Sequence, residues 1–353
     1  MAGNPIRTGI CSYGMSGKLF HAPFIANHPG YDLTAIVERH KDESSRRYPD
    51  ARRHRSFESL IADPDIQLVV VNTPVQTHFD YVKAALLAGK DVVVEKPFTV
   101  TAAEAEELDQ LAKKAGRFLS VYQNRRYDGD FREIKKVLEE DLLGELKEVE
   151  IRFDRYRPGF GGKQHKEGDL PGAGILHDLG AHMIDQALQL FGWPTAVFAD
   201  VRTLRGNEVH ANDYFEVLLY YPALRVRLKS TVIARQSYPA YILHGMKGSF
   251  LQERSDLQEE ELLKETEPSI ESWCPAPDKP DGLLHTEVEG QVIKKDTRST
   301  PGNYMGYYDD VYHALLGHSP NPVPALDAVK SMRIIDAAFE SASTGSVINL
   351  KPL

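Results

Sequence analysis

Between residues 6 and 122, short apolar runs alternate with longer stretches whose apolar positions recur every three or four residues. Of the runs at 6–11, 32–37, 67–72, 91–95 and 118–122, four are rich in Val, Ile or Leu, and their near-continuous apolar character predicts strands buried on both faces of a parallel sheet. Segments 77–88 and 102–115 read as helices that cover it. Thr101 with Glu104 three residues on has the form of a capping box, and Gly116 is a stop signal. The pattern is a repeated βαβ unit, which predicts an α/β doubly wound parallel sheet at the N-terminal end.

Beyond residue 124 the texture changes. Helical periodicity over 131–140 and 175–191 is followed by two-residue alternation over 196–205, 214–221, 225–234 and 241–251. Alternation with short turns predicts a C-terminal α+β domain built on an open, mostly antiparallel sheet with helices on one face. The expected domains are therefore 1–124 and 125–353, with a last helix at 326–341 packing back on the first. A sheet covered on one side leaves an apolar face, so a homodimer or homotetramer is expected. Two irregular stretches are long enough to border a site: 158–174 holds six glycines, and 266–282 holds four prolines and a tryptophan.

Composition narrows the function. The 353 residues carry 51 acidic against 42 basic side chains, a net charge of −9, so no broad positive field invites nucleic acid or anionic lipid. Apolar runs such as 68–71 are far too short to cross a bilayer, and the first ten residues lack a signal-peptide pattern. The expectation is a soluble, cytoplasmic chain. Its two cysteines, Cys11 in a strand pattern and Cys274 in the proline-rich stretch, read as a buried hydrophobe and a bystander thiol.

The first strand runs into Ser12-Tyr13-Gly14-Met15-Ser16-Gly17, which matches the Rossmann fingerprint G-x-G-x-x-G except that Ser12 replaces the first glycine. In such a turn the middle glycine admits a pyrophosphate to the backbone, the last allows close helix packing, and the helix N-terminus supplies free N–H groups. Glu38 follows Gly17 by 21 residues, at the end of the second strand. A carboxylate there accepts the ribose hydroxyls and repels a 2′-phosphate, which favours NAD over NADP. Arg39 beside it could pair with that phosphate, so both cofactors stay open.

Chemistry gathers at two further places. Lys96, in Glu95-Lys96-Pro97, ends the strand at 91–95, the end of a doubly wound sheet where ligands bind; its ammonium can hold a substrate oxygen. In the helix at 175–191, Leu176, Leu179, Met183, Ala187 and Leu190 form a buried stripe, with Asp178, His182 and Asp185 beside it. At 100° per residue Asp178 and His182 differ by ~40° and can meet, whereas His177 and His182 differ by ~140°. That spacing, with no cysteine pair or third histidine, argues against a metal site. A carboxylate-oriented imidazole suits alcohol oxidation, which needs a base near neutral pKa.

Taken together these residues resemble the Gfo/Idh/MocA family of NAD(P)-dependent sugar and polyol oxidoreductases. The resemblance spans the chain: the glycine turn, Asn72-Thr73-Pro74 with Thr77-His78, Glu95-Lys96-Pro97, Gln123-Asn124-Arg125-Arg126-Tyr127 and the helix at 174–186. The runs EKPFTVT (95–101), FDRYRP (153–158) and TPGNY (300–304), with residues 178–186, are similar to the branch that contains bacterial scyllo-inositol dehydrogenases.

The resemblance implies a Rossmann domain followed by an open-sheet domain, with Lys96, Asp178 and His182 as the catalytic group. It implies cofactor contacts from Ser12 to Gly17, Glu38, Arg39, Thr73, Pro74, His78, Glu95, Lys96 and Asn124. Substrate contacts would come from the catalytic group with Asn124, Arg125, Tyr156 and Arg157, and no metal is implied. NADP-using relatives in this branch lack an acid at the position of Glu38, so their preference does not transfer. The implied reaction has His182 removing a hydroxyl proton, Asp178 steadying the imidazolium and Lys96 holding the oxygen. Two other functions fit the fold: a dinucleotide-binding regulator without turnover, and a redox-assisted glycosidase.

Overall fold

The computed structural model describes residues 4–206 and 209–352. Its first sheet holds β1 (Ile6–Ile10), β2 (Tyr31–Val37), β3 (Arg52–His54), β4 (Leu68–Val71), β5 (Asp91–Glu95) and β6 (Leu119–Tyr122). The strand order is β3-β2-β1-β4-β5-β6 and every neighbouring pair is parallel. This is the doubly wound order, reversing between β1 and β4, and that reversal opens a crevice at the strands' carboxyl ends. Leu68, Val69, Val70 and Val71, like Val92, Val93 and Val94, are 0% exposed. Each side chain so buried contributes about 1.5–3 kcal/mol. β3 escaped the sequence reading because an edge strand needs no apolar run, and Arg52 and Arg53 both face solvent. The helix Ala102–Ala115 starts at the Thr101/Glu104 capping box and stops at Gly116, whose φ of +59° suits glycine.

By its internal contacts the chain forms two units. The first comprises residues up to Asn124 together with 258–274 and 303–329; the second comprises 125–257, 275–302 and 330 onward. A single boundary at 124 therefore misses two returning segments. The helix that completes the first unit is Met305–Leu315, whose Met305, Tyr307, Tyr308 and Val311 are all 0% exposed. The last helix, Ala325–Thr344, is shared: it belongs to the first unit up to Val329 and to the second from Lys330, where the Ser341 hydroxyl accepts the Ala199 N–H at 2.9 Å.

The second unit carries a sheet of β7 (Leu146–Arg152), β8 (Ala196–Arg202), β9 (Tyr214–Tyr220), β10 (Arg225–Thr231), β11 (Tyr241–Gly245), β12 (Gly248–Gln252), β13 (Gly282–Val288), β14 (Gln291–Thr297) and β15 (Ile348–Asn349). The order is β14-β13-β12-β11-β7-β10-β9-β8-β15, antiparallel throughout except for β7 with β10. The alternating stretch 241–251 is a hairpin rather than one strand. A Cβ on Gly245 would lie 2.2 Å from the Leu143 carbonyl oxygen and one on Gly248 2.5 Å from that of His285, so only glycine lets the backbones close there.

Along β9 and β10 the buried residues Phe215, Val217, Leu219, Val226 and Leu228 alternate with Glu216, Arg227 and Lys229. Lys229 meets Glu216 at 3.2 Å, and Arg227 reaches Glu216 at 3.1 Å and Glu150 of β7 at 3.4 Å. The less buried face thus carries cross-strand ion pairs beside Tyr214, Leu218, Tyr220 and the 38% exposed Phe198. Among the described residues no helix is long and apolar enough to cross a membrane.

Candidate active site

The glycine turn leaves β1 and opens the helical stretch formed by a π turn, Gly17–His21, and the α-helix Ala22–Asn27. A Cβ at Gly17 would lie 2.1 Å from the Ser12 carbonyl oxygen, so this position tolerates glycine alone. At Gly14 the nearest atom is the Ser12 hydroxyl at 3.5 Å, and the backbone stays open to an approaching group. The Gly14 N–H donates to that hydroxyl at 3.3 Å, and Lys18 N–H closes the turn onto the Gly14 carbonyl at 2.9 Å. Asn72, just after β4, donates through Nδ2 to the Ser12 carbonyl at 2.8 Å, tying together the strand ends that flank the crevice. Met15 is 56% exposed, while the Tyr13 ring meets Tyr48 edge-on at 6.2 Å with the Lys18 ammonium over its face.

Glu38 corrects the sequence reading. Its carboxylate is buried and turned into its own loop, accepting Glu43 N–H at 3.0 Å, Ser44 N–H at 3.1 Å and the Ser44 hydroxyl at 2.8 Å. Both oxygens thus anchor the segment after β2, the work of a helix cap, rather than facing a ribose. Arg39 is exposed and donates through Nη2 to the Tyr81 hydroxyl at 3.0 Å. That ring stacks on Phe57 at 3.9 Å.

At the end of β5, Glu95 Oε1 accepts the Ser16 hydroxyl at 2.6 Å and contacts His21 Nε2 at 3.0 Å; Oε2 accepts the Lys96 N–H at 3.2 Å. The other ring nitrogen of His21 meets the Tyr308 hydroxyl at 2.6 Å, and both His21 and Tyr308 are 0% exposed. Burial pushes the Glu95 carboxyl up, but bonding to His21 and Ser16 and the nearby Lys96 charge outweigh it and hold its pKa at about 2. Lys96 is half-buried and its peptide bond to Pro97 is cis.

His78 joins two strand ends, with Nε2 2.8 Å from the Thr73 carbonyl and Nδ1 2.9 Å from that of Pro97. Burial holds its pKa below the ordinary histidine value, although the carbonyls favour the charged ring. The Thr73 and Thr77 hydroxyls pair at 2.6 Å beside Pro74. Asn124, 6% exposed, closes the first unit.

In the second unit a π turn, Leu176–Gly180, leads into the α-helix Ala181–Phe191. A π turn rotates each residue by less than an α-helix does, so Asp178 and His182 lie closer in azimuth than the ideal ~40°. The same turn weakens the angular separation of His177 from His182. Yet His177 packs on Phe339 at 5.4 Å and lines a cavity of about 470 Å³ with Asp169, His210 and Asn212. Among the described residues no group of three or more His, Cys, Asp or Glu could hold a metal ion. His182 is 4% exposed. Asp178 Oδ1 accepts Lys166 Nζ at 2.9 Å, a partner the sequence did not indicate.

The remaining sequence candidates divide. Asp185 is held in a two-bond pair with Arg126, at 2.8 and 2.6 Å, both side chains under a tenth exposed, so this member of the polar stripe is structural. Arg125 is buried, donating through Nη1 to Asp128 at 3.1 Å and lying over Phe153 at 4.9 Å. Tyr156 is 42% exposed and accepts Arg235 Nη2 at 2.5 Å. Arg157 is exposed, and its carbonyl accepts Arg205 Nη1 at 2.9 Å. His21, Tyr308, Lys166 and Arg205 went unnoticed in the sequence. For His21 the only signal was a polar residue in an apolar helix start; Tyr308 meets His21 from 287 residues away, and Lys166 and Arg205 sit in irregular segments where spacing predicts no contact.

Comparison with known proteins fits this geometry. Residues 6–123 match the profile described as "Oxidoreductase family, NAD-binding Rossmann fold", and residues 135–350 that of "Oxidoreductase family, C-terminal alpha/beta domain", the two Gfo/Idh/MocA domains. The chain is 43% identical over 338 residues to the uncharacterised oxidoreductase YdgJ of Escherichia coli K12, covering 96% of each chain. It is 38% identical over 350 residues to scyllo-inositol 2-dehydrogenase (NADP(+)) IolW of Bacillus subtilis 168, covering 98% of this chain and 96% of that one. A crystal structure of an oxidoreductase from Bacillus cereus superposes with a TM-score of 0.88 at 32% identity over 99% of both chains. With a parallel sheet in doubly wound order, a glycine-only turn and relatives matched end to end, the chain belongs to the Gfo/Idh/MocA family of NAD(P)-binding oxidoreductases.

Proposed function

We propose that this protein is an NAD(P)-dependent dehydrogenase acting on a secondary hydroxyl of a cyclic polyol or sugar, with scyllo-inositol the first compound to test. The observation that carries this reading is the joint presence of Lys96 at the end of β5, of Asp178 on the π turn and of a buried His182 at the start of the α-helix that this turn leads into. A regulator needs only the nucleotide end. The open backbone at Gly14 and the glycine-only contact at Gly17 fit a pyrophosphate, with Ser12 to Gly17 as its cradle and Thr73, Pro74 and His78 beside it.

Bound there, the nicotinamide supplies the hydride acceptor or donor. The protein supplies the proton chemistry. His182 takes the hydroxyl proton as general base, Asp178 orients the ring and stabilises its cationic form, and Lys96 hydrogen-bonds the oxygen as negative charge develops on it. Reduction of a ketone runs the same roles in reverse. Lys166 stands beside this group, its Nζ 2.9 Å from Asp178 Oδ1.

The test is a panel of inositols and aldoses with each cofactor, followed at the reduced-nicotinamide absorbance band. Net reduction supports the dehydrogenase. Sugar release without net change favours the glycosidase, and neither signal favours the regulator. We also propose a homodimer or homotetramer through the ion-paired sheet face of the second unit; a monomeric mass by light scattering at micromolar concentration would remove that part.

A further inference from the structure

The glycine-rich stretch 158–174 is a built structure rather than a free loop. At its centre is Arg205, whose side chain is 4% exposed. Nη1 donates to the carbonyls of Arg157 and Gly159, both at 2.9 Å; Nη2 pairs with Glu167 Oε1 at 2.8 Å; Nε donates to Asp213 Oδ2 at 2.9 Å. One guanidinium therefore holds the entry of the loop, the short helix Gln164–Glu167 within it and the residue that precedes β9. A planar fork of fixed donors suits that work as a lysine could not.

Glu167 extends the clamp. Its Oε2 accepts the Gly161 N–H at 2.6 Å, and its carbonyl accepts the N–H groups of His210 and Ala211 at 3.1 and 3.2 Å. The next residue back is Lys166, whose carbonyl accepts the Gly174 N–H at 2.9 Å just before the helix that carries Asp178. Lys166 is thus fixed on both sides by backbone bonds, and its ammonium stands 2.9 Å from Asp178 Oδ1. The side chain is 40% exposed. An ammonium has three donors and one is spent on Asp178, so two remain on a side chain that solvent reaches.

We propose that Lys166 determines substrate specificity: held by the Arg205–Glu167 clamp, it presents two N–H donors beside Asp178 to a substrate oxygen other than the reacting one. The occupant it selects is a vicinal hydroxyl or a carboxylate oxygen on the polyol or sugar ring. This rests on the reading that Asp178 belongs to the active site. It assigns a purpose to a segment that is otherwise an unusually long irregular connection.

The experiment compares wild type, Lys166→Met, Lys166→Arg and Asp178→Asn on the panel of inositols, aldoses and their carboxylate derivatives. Substrate KM and kcat are measured alongside reduced-dinucleotide affinity by fluorescence titration. Loss of a charge-assisted hydrogen bond in Lys166→Met should raise substrate KM by ~10-fold or more, and kcat should change by less than ~3-fold. Dinucleotide affinity should stay constant, and Lys166→Arg should recover most of the loss. A substrate KM unchanged in Lys166→Met, while Asp178→Asn abolishes turnover, overturns the assignment of Lys166 alone. Equal loss of dinucleotide affinity would also overturn it, because the effect would then be general to the fold. A wild-type enzyme that neither binds nor turns over any panel compound overturns both this inference and the dehydrogenase reading.

Discussion

The Ser16 hydroxyl donates to Glu95 Oε1 at 2.6 Å, so the glycine turn after β1 and the strand end that carries Lys96 share one carboxylate. His21, on the helix that the turn opens, meets the same oxygen at 3.0 Å and is backed by Tyr308. Ordering of the turn is thereby coupled to the position of the Lys96 backbone, whose N–H binds the other Glu95 oxygen.

The pH dependence of stability checks this coupling. Burial raises the Glu95 carboxyl, but His21, Ser16 and Lys96 lower it to about 2 from an ordinary 4.5. A depressed folded-state value means the stabilisation is complete above pH 4.5 and is lost as pH falls through about 2. The difference in thermal midpoint between wild type and Glu95→Gln should hold steady above that window and shrink within it. A difference that stays constant down to the acid end contradicts the role of Glu95.

The glycine turn gives a sharper contrast. Gly17→Ala forces a Cβ to 2.1 Å from the Ser12 carbonyl oxygen, so the turn must open and dinucleotide affinity should fall by ~100-fold or more. Gly14→Ala meets nothing closer than 3.5 Å in the protein and should fold normally, with any loss confined to dinucleotide binding. Fluorescence titration and thermal unfolding of both variants separate the effects. Equal behaviour of the two would contradict the division of labour in the turn.

Arg126 and Asp185 form a buried two-bond ion pair. Removing one partner leaves the other charge buried, so Arg126→Ala should destabilise by about 3 kcal/mol or more. Unfolding by urea provides the check, and a change below 1 kcal/mol, the range of exposed pairs, would contradict it.

Much of this was legible in the sequence, and the failures have physical causes. Continuous Val and Leu runs marked β4 and β5 because strands buried on both faces must be apolar, whereas the polar edge strand β3 carries no such mark. Thr101, Glu104 and Gly116 fixed the ends of their helix through local hydrogen bonds, which sequence can announce. Glu38 was misread because a ribose-binding acid and a loop-capping acid occupy the same place in the pattern, and only the amides of Glu43 and Ser44 tell them apart. Tyr308 and Arg205 act on residues such as His21 and Glu167, and spacing along the chain carries no trace of those meetings. Alternation in β9 and β10 was visible, but the outward charges pair across strands, which a search for an apolar face passes over.

We propose that cofactor choice turns on Arg39, since Glu38 is engaged by its own loop. An exposed guanidinium at the end of β2 can pair with a 2′-phosphate. Arg39→Ala should lower kcat/KM with NADP by ~10-fold or more and leave the NAD value within ~3-fold. Parallel loss with both cofactors would remove Arg39 from the selection.

The most direct measurement is turnover at the reduced-nicotinamide band for wild type, Lys96→Ala and His182→Ala on the best panel substrate, with dinucleotide affinity measured in parallel. Loss of positioned acid–base groups should lower kcat by ~100-fold or more in each variant and leave dinucleotide affinity within ~3-fold. Near-wild-type turnover in either variant would contradict the assignment of Lys96 and His182 to hydride chemistry.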